Sequence, residues 1–558
     1  MKITLNLNQK VLNIKESAAA WLADYSNRPI SVGSLVEHIY NHTSKNAPAL
    51  IVLIATITLL ATLFLRFHLV FAFIPEIGGI ESNVIYSLQR FLAGYSLYAD
   101  PSQAPYSITQ YTPLYYYLCW IVGRIALIDP DNVHHVYILS RSVSLILNLL
   151  FSAAVFLVVK RIFRVQRSVS FVALAYAFVF LDEESFSRPD SLYNLLVVVT
   201  VGLFLASLMD ERKLHAYYYL IGSSFLSVLT VFAKQSGIYL FVLLLFFVVF
   251  YLNNRQWAVT ALLTMALSFA TLFALCCGGE VNVFVQNVVL GVSNGVDIRL
   301  FVERIVIEHF QKERFVNILG LFIGFYYLAK GANRASKFLG LAILSSFIFA
   351  LLTSFKVGAA PNYFTEFITL TIIGLAIFID YAGINTDTRE SQQGWASHLR
   401  IFLLIFIIFT LPPRFAGKFV KKVVNIENAG EQNYRTSQAV ADYLYEEEHL
   451  QPNTQVFVMT HVEDYLNKFL YRNVVFPQKE IAIANPPGTY NYSSFEEALV
   501  TGEVAYVIAD RSKGHLDSDS QRIIKSYRFA KTDLSRYEPI QQIGRYVIFR
   551  HKNPIDRR

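Results

Sequence analysis

Charge is scarce in this chain. Only 16% of its 558 residues are Asp, Glu, Lys or Arg, against about 25% in ordinary globular domains. That scarcity excludes a conventional soluble enzyme over most of the length. Cysteine is scarcer: Cys119, Cys276 and Cys277 stand in or beside apolar runs, which excludes a disulfide framework and zinc-finger spacing. No Gly-rich phosphate loop and no nucleophile elbow occurs. No internal repeat is evident, which weighs against a transporter built from inverted repeats. The first 47 residues are polar and mixed, without the short apolar run of a secretory leader. The first hydrophobic segment is therefore expected to direct insertion and to stay in place. The net charge of +7 comes from basic residues scattered through short loops. That pattern fits the cytoplasmic loops of a membrane protein, not nucleic-acid binding.

Hydrophobic length is what the chain has. Apolar residues make up 54% of it, and the mean hydropathy is +0.41. Eleven candidate spans follow: 48–72, 136–159, 168–182, 190–209, 215–232, 236–252, 257–276, 315–330, 337–355, 363–381 and 399–415. The Tyr-rich stretch 111–128 reads as an interfacial or re-entrant piece. The most basic short loop is KRIFRVQR (160–167), which predicts a cytoplasmic face there and a cytoplasmic N-terminal segment, 1–47. The remainder divides into a membrane domain over 48–415 and an extracytoplasmic α/β domain over 416–558. In the latter SQAVADYLYEEE and VEDYLNKFLYR are helical patterns, and TQVFVMT, VAYVIAD and RYVIFRH are strand patterns. The fold class is thus an all-α polytopic membrane protein with outer-face interfacial helices and a small C-terminal α/β domain.

Polar residues that could do chemistry collect at the outer ends of the spans. Glu76 and Glu81 lie in PEIGGIESN just past the first span, where Ile80, Val84, Ile85 and Leu88 mark a helix lying on the membrane surface. Glu81 falls in its first turn, where a carboxylate suits the helix dipole; the alternatives are a solvated helix start and a general base. Arg188 and Asp190 stand in LDEESFSRPDSL, where Pro189 signals a helix start and Asp190 is either a cap or a functional acid. Asp182, Glu183 and Glu184 precede them, and Asp182 and Glu183 are the candidates for a divalent ion. Lys234 and Gln235 form a turn in which the lysine has no acid close by in sequence, so it either snorkels or holds a phosphate. Lys356 ends a span, and Asn362, Tyr363 and Glu366 begin the next, with Asn362 and Glu366 on one helical face. Tyr111 joins these as a substrate contact. Their shared location suits a lipid substrate in the outer leaflet.

In order along the chain, the acidic loop, GYSLYADP (94–101), YTPLYYYL (111–118), RPDSL (188–192), KQSG (234–237) and NYFTE (362–366) resemble the motifs of the polyprenyl-phosphate-sugar-dependent integral membrane glycosyltransferases of the GT-C fold. That group includes the protein O-mannosyltransferases and the lipid A aminoarabinose transferases, with many bacterial members. The resemblance covers about 48–381. It implies transfer of a sugar, with inversion, from a polyprenyl-phosphate donor to an acceptor hydroxyl on a lipid, glycan or protein. By it Glu81 is the base, with Glu76 its rival because the usual adjacent Asp-Glu pair is here two separated acids. Asp190 orients the acceptor or the base, Lys234 and Arg188 hold the donor phosphate, and Tyr111, Gln235, Asn362, Tyr363 and Glu366 hold substrate. The implied setting is a bacterial inner or plasma membrane, with membrane lipids as further partners and no cofactor beyond the divalent ion just named. A lipid-linked sugar flippase, or a polysaccharide polymerase or ligase, is the alternative. The spans are mostly clean, with their charges at the ends, which disfavours transport, and the 277–314 loop is modest for a polymerase or ligase.

Overall fold

The structure is a computed structural model that describes residues 32–181, 186–277, 279–293, 295–381, 402–412, 421–459, 465–477, 490–510 and 534–554. Seven of the described helices are long and apolar enough to cross a bilayer: Asn46–Phe71, Val133–Ile162, Asp190–Met209, Lys213–Ala233, Arg255–Cys277, Arg334–Thr353 and Pro361–Tyr381. This is an integral membrane protein. They answer to seven of the eleven expected spans. At 168–182, 236–252 and 399–415 the described helices are Arg167–Phe180, Gln235–Tyr251 and Phe402–Pro412, all shorter. At 315–330 the helix Arg314–Lys330 has 17 residues. At 1.5 Å per residue, 14 to 17 residues reach roughly 21–26 Å, at the lower end of what spans a ~30 Å hydrocarbon core, and the residues flanking Phe402–Pro412 lie outside the described residues. Hydropathy registers an apolar run but not where the helix within it stops. The helix Leu114–Ile125 has only 12 residues, too few to cross.

Successive helices reverse direction, and side chains near their turns meet at one end of the layer. Helix starts there and at the opposite end use ordinary caps: Asn132 accepts from the His135 N–H at 3.1 Å, and Asn333 from the Ser336 N–H at 2.8 Å. Where helices cross closely, glycine is required. A Cβ on Gly237 would lie 2.3 Å from the Thr230 carbonyl carbon, so the KQSG turn folds tightly back on the helix before it.

The C-terminal part is an α/β unit. Helix Lys421–Asp442 leads into β1 (Gln455–Met459), β2 (Val474–Val475), β3 (Val504–Asp510), β4 (Tyr537–Ile543) and β5 (Tyr546–His551). The sheet order is β2-β1-β3-β5-β4, with β1 parallel to β2 and β3 and the last two strands antiparallel. Of the expected VEDYLNKFLYR helix, Leu466–Phe469 is helical, and residues 460–464 lie outside the described residues.

This unit sits on the loops at one end of the membrane helices. Arg472 pairs with Asp131 at 2.7 Å, and the Tyr471 hydroxyl donates to the same carboxylate at 2.8 Å. Gln89 donates to the Lys468 carbonyl at 3.0 Å, and the Lys468 ammonium donates to the Ser82 hydroxyl. The Phe476 N–H donates to the Pro105 carbonyl at 2.9 Å, and the Phe476 ring stacks on Tyr106. Helix Glu81–Leu92 is not an open surface helix, because every residue from Glu81 to Gln89 is buried. Its apolar stripe meets membrane helices, and its polar face meets the α/β unit, which local periodicity could not register.

Candidate active site

The two acids after the first span have different surroundings. Glu81 is fully buried. Arg141, from helix Val133–Leu157, donates to its two oxygens at 2.7 and 3.2 Å, and the Ile77 N–H adds a third bond at 2.7 Å. Arg141 also donates to the carbonyls of Ala72 at 2.8 Å and Ile74 at 2.5 Å. It thereby satisfies carbonyl groups left open where the first span ends. Arg141 was not picked out by sequence reasoning, since a single arginine inside an apolar helix has no local partner to announce it. Glu81 does lie in the first turn of its helix, as an enclosed ion pair with Arg141 and not as a solvated carboxylate. Glu76 is half-buried. Its oxygens accept the N–H groups of Glu81 at 2.6 Å and Ser82 at 2.8 Å, at the start of the helix, where an anion is favoured.

A second cluster is built from Arg188, Asp190, Lys234 and Asn362, on three separate segments. Lys234 donates to Asp190 Oδ1 at 2.7 Å, and Asn362 donates to the same oxygen at 2.9 Å. Arg188 approaches Asp190 Oδ2 at 3.4 Å, an ion-pair contact without hydrogen-bond geometry, and Asp190 Oδ2 has no hydrogen-bond partner among the described residues. Arg188 also donates to the Tyr111 hydroxyl at 2.9 Å and to the Gly79 carbonyl at 2.7 Å. It thus ties the cluster to the loop carrying Glu76. All of Arg188, Asp190, Lys234 and Asn362 are under a tenth exposed. The acid missing from the sequence neighbourhood of Lys234 is Asp190, 44 residues away. Burial alone would lower the Lys234 ammonium. Asp190 and the phenols of Tyr363 and Tyr111 outweigh it and hold it above the ordinary lysine range.

The remaining candidates line the same region. The rings of Tyr363 and Tyr193 lie 5.4 and 5.7 Å from the Lys234 ammonium, within cation–π range. Tyr193 donates to Glu366, whose other oxygen has no hydrogen-bond partner among the described residues. Gln235 turns away, donating to the carbonyls of Val288 at 3.0 Å and Gln110, so it fixes the turn. Lys356 is half-buried. Burial and the nearby Lys234 ammonium push its pKa down to about 8. Tyr193 and the charge environment of Lys356 were missed in sequence, because both depend on long-range neighbours. Asp182 and Glu183, the divalent-ion candidates, lie outside the described residues. Among the described residues no group of three or more His, Cys, Asp or Glu gathers as a metal would require.

No protein-family model matches the chain, and no curated protein matches it by sequence. Solved structures do. ArnT from Cupriavidus metallidurans, solved bound to undecaprenyl phosphate, is similar with a TM-score of 0.55 at 13% identity, covering 88% of this chain and 97% of that one. The archaeal oligosaccharyltransferase AglB from Archaeoglobus fulgidus, solved with an inhibitory peptide and a dolichol-phosphate, is similar with a TM-score of 0.53 at 14% identity, covering 90% and 74%. At such identities the likeness establishes the fold. This chain has the GT-C fold that its motifs implied.

Proposed function

We propose that this protein transfers a sugar from a polyprenyl-phosphate carrier to an acceptor hydroxyl, with inversion, at the membrane face that carries the α/β unit. That face is the extracytoplasmic one in this reading, with the N-terminal segment cytoplasmic and the membrane a bacterial plasma membrane. One observation carries the proposal. Arg188, Asp190, Lys234 and Asn362 converge from three segments on one buried cluster at the ends of the helices. The fold, shared with proteins solved with undecaprenyl phosphate and dolichol-phosphate, supports the same carrier class here.

Lys234 and Arg188 hold the donor phosphate and stabilise charge growing on it. Asp190 keeps both cations in place, and its open Oδ2 accepts a hydrogen bond from a sugar or acceptor hydroxyl. Tyr111, Tyr363, Asn362 and Glu366 line the sugar, while Gln235 sets the turn beneath Lys234. The acceptor oxygen attacks the anomeric carbon, its proton passes to a carboxylate, and the bond to the phosphate oxygen breaks with its electron pair. Of the first-loop acids, Glu76 is the one a solvent-borne acceptor reaches, and it is the base; Glu81 holds the loop through Arg141. Incubation of the purified protein with undecaprenyl-phosphate sugars of hexose and pentose type tests this. Release of undecaprenyl phosphate, dependent on an added glycan, lipid or peptide acceptor, is the expected result. No release from any donor in a folded preparation contradicts it.

A further inference from the structure

We propose that Tyr115 is a positioning residue for the transfer reaction: with Ser140, Ser144, Ser187 and Ser191 it forms a buried chain of hydroxyls that clamps the Arg188 turn and fixes its guanidinium for the carrier phosphate. The inference rests on the transferase reading above.

The chain joins three segments through side chains. The Tyr115 hydroxyl lies 2.9 Å from the Ser140 hydroxyl and 2.9 Å from that of Ser144. Ser140 and Ser144 are one turn apart on helix Val133–Leu157, so both face the tyrosine. The Ser187 hydroxyl donates to the Ser140 hydroxyl at 2.9 Å. The hydroxyls of Ser144 and Ser191 lie 3.1 Å apart, and Ser191 donates to the Arg188 carbonyl at 2.9 Å. Each of these tyrosine and serine residues is completely buried. One orientation lets every hydroxyl donate once: Ser187 to Ser140, Ser140 to Tyr115, Tyr115 to Ser144, Ser144 to Ser191, and Ser191 to the Arg188 carbonyl. Bonds aligned in one sense reinforce one another in a low-dielectric interior.

Serines inside apolar helices ordinarily bond back to their own helix. Ser152 does so, donating to the Asn148 carbonyl at 3.0 Å, and Ser223 does so with the Leu220 carbonyl at 2.9 Å. Ser140 and Ser144 instead reach two other segments. The turn they hold begins at a left-handed residue, Ser187, with φ 61. That conformation is unfavourable for a residue with a Cβ and persists only where the surroundings enforce it. The serine hydroxyls grip both ends of this turn, and Arg188 lies between them.

The clamp acts on Arg188 from its backbone. Ser191 gives the Arg188 carbonyl two donors, its hydroxyl at 2.9 Å and its N–H at 3.2 Å. At the far end the guanidinium donates to the Tyr111 hydroxyl at 2.9 Å and to the Gly79 carbonyl at 2.7 Å. Tyr111 stands just ahead of helix Leu114–Ile125, which carries Tyr115. One short segment thus steadies Arg188 at both ends. Asp190 is held separately, by Lys234 at 2.7 Å and Asn362 at 2.9 Å. Loss of the clamp therefore shifts the guanidinium relative to a phosphate that Lys234 still holds. Charge-assisted bonds depend on that register, and a displacement of about 1 Å is enough to forfeit much of their effect.

The test titrates undecaprenyl phosphate into the folded full-length protein in nanodiscs. The proteins are wild type, Tyr115→Phe, Ser191→Ala, Arg188→Met, and Arg188→Met carrying either clamp substitution. Tyr115→Phe and Ser191→Ala should each weaken binding about tenfold, and Arg188→Met at least as much, the worth of one charge-assisted contact. On the Arg188→Met background either clamp substitution should add no more than about twofold, because residues acting through one another are not additive. A purely structural role would instead lower the melting temperature and leave the folded protein with wild-type affinity. That result in either clamp variant, or losses that multiply with Arg188→Met, overturns the inference while the transferase reading stands. Failure of both clamp variants to fold overturns it too, since the chain then serves the fold. Failure of folded wild type to bind overturns both the inference and the transferase reading.

Discussion

Glu81 and Glu76 show how little residue type alone decides. Both are acids of one loop, yet Glu81 is locked to Arg141 and Glu76 is half-buried at a helix start. Glu81→Gln leaves the Arg141 guanidinium as a buried charge without its counter-ion, which costs roughly 3–5 kcal/mol. A marked drop in thermal stability in detergent is the expected readout. Glu76→Gln should keep stability near wild type and lower kcat by about 10²–10⁴-fold, with KM for the donor little changed. A stable, inactive Glu81→Gln protein would hand the base role back to Glu81. At this scale the sequence located residues that the fold brings together. Arg188, Asp190, Lys234 and Asn362 were each legible as polar residues at span ends, and they do meet. Their pairing was not legible, because partners such as Lys234 and Asp190 are joined only by the packing of separate helices. Arg141 was invisible for the same reason.

At the scale of elements, apolar runs gave the long helices well and the short ones poorly. Helix Asp190–Met209 matches its expected 190–209, whereas Arg167–Phe180 stops short of the expected 182. The strands TQVFVMT, VAYVIAD and RYVIFRH appear as β1, β3 and β5. The two-residue β2 and the mostly exposed β4 carry little local pattern and were missed. The KQSG turn joins an element to its chemistry. A methyl group on Gly237 would collide with the Thr230–Val231 peptide at 2.3–2.5 Å, and that turn carries Lys234. Gly237→Ala should cost about 1–3 kcal/mol as an overpacked contact, and should weaken binding of undecaprenyl phosphate by displacing the ammonium. Unchanged binding in that variant would show that the turn tolerates the shift without moving Lys234.

The whole molecule is held together by contacts between the α/β unit and the membrane loops. The Arg472–Asp131 pair is well exposed on both sides, so Asp131→Asn should cost no more than about 1 kcal/mol. The closer contact is backbone to backbone. A Cβ on Gly430 would lie 1.6 Å from the Phe73 carbonyl oxygen, so helix Lys421–Asp442 rests directly on the end of the first span. Gly430→Val should separate the two parts, seen as faster limited proteolysis between them, and should lower transfer because helix Glu81–Leu92 loses its cover. Proteolysis and transfer both equal to wild type would contradict that role. The central claim, that the Arg188–Asp190–Lys234 cluster receives a polyprenyl phosphate, is met most directly by one binding measurement. Undecaprenyl phosphate is titrated into wild type, Lys234→Met and Glu76→Gln in nanodiscs. Saturable binding to wild type is expected, with affinity unchanged in Glu76→Gln and at least about a tenfold loss in Lys234→Met as a charge-assisted contact disappears. Equal affinity in all three, or no binding to folded wild type, would contradict it.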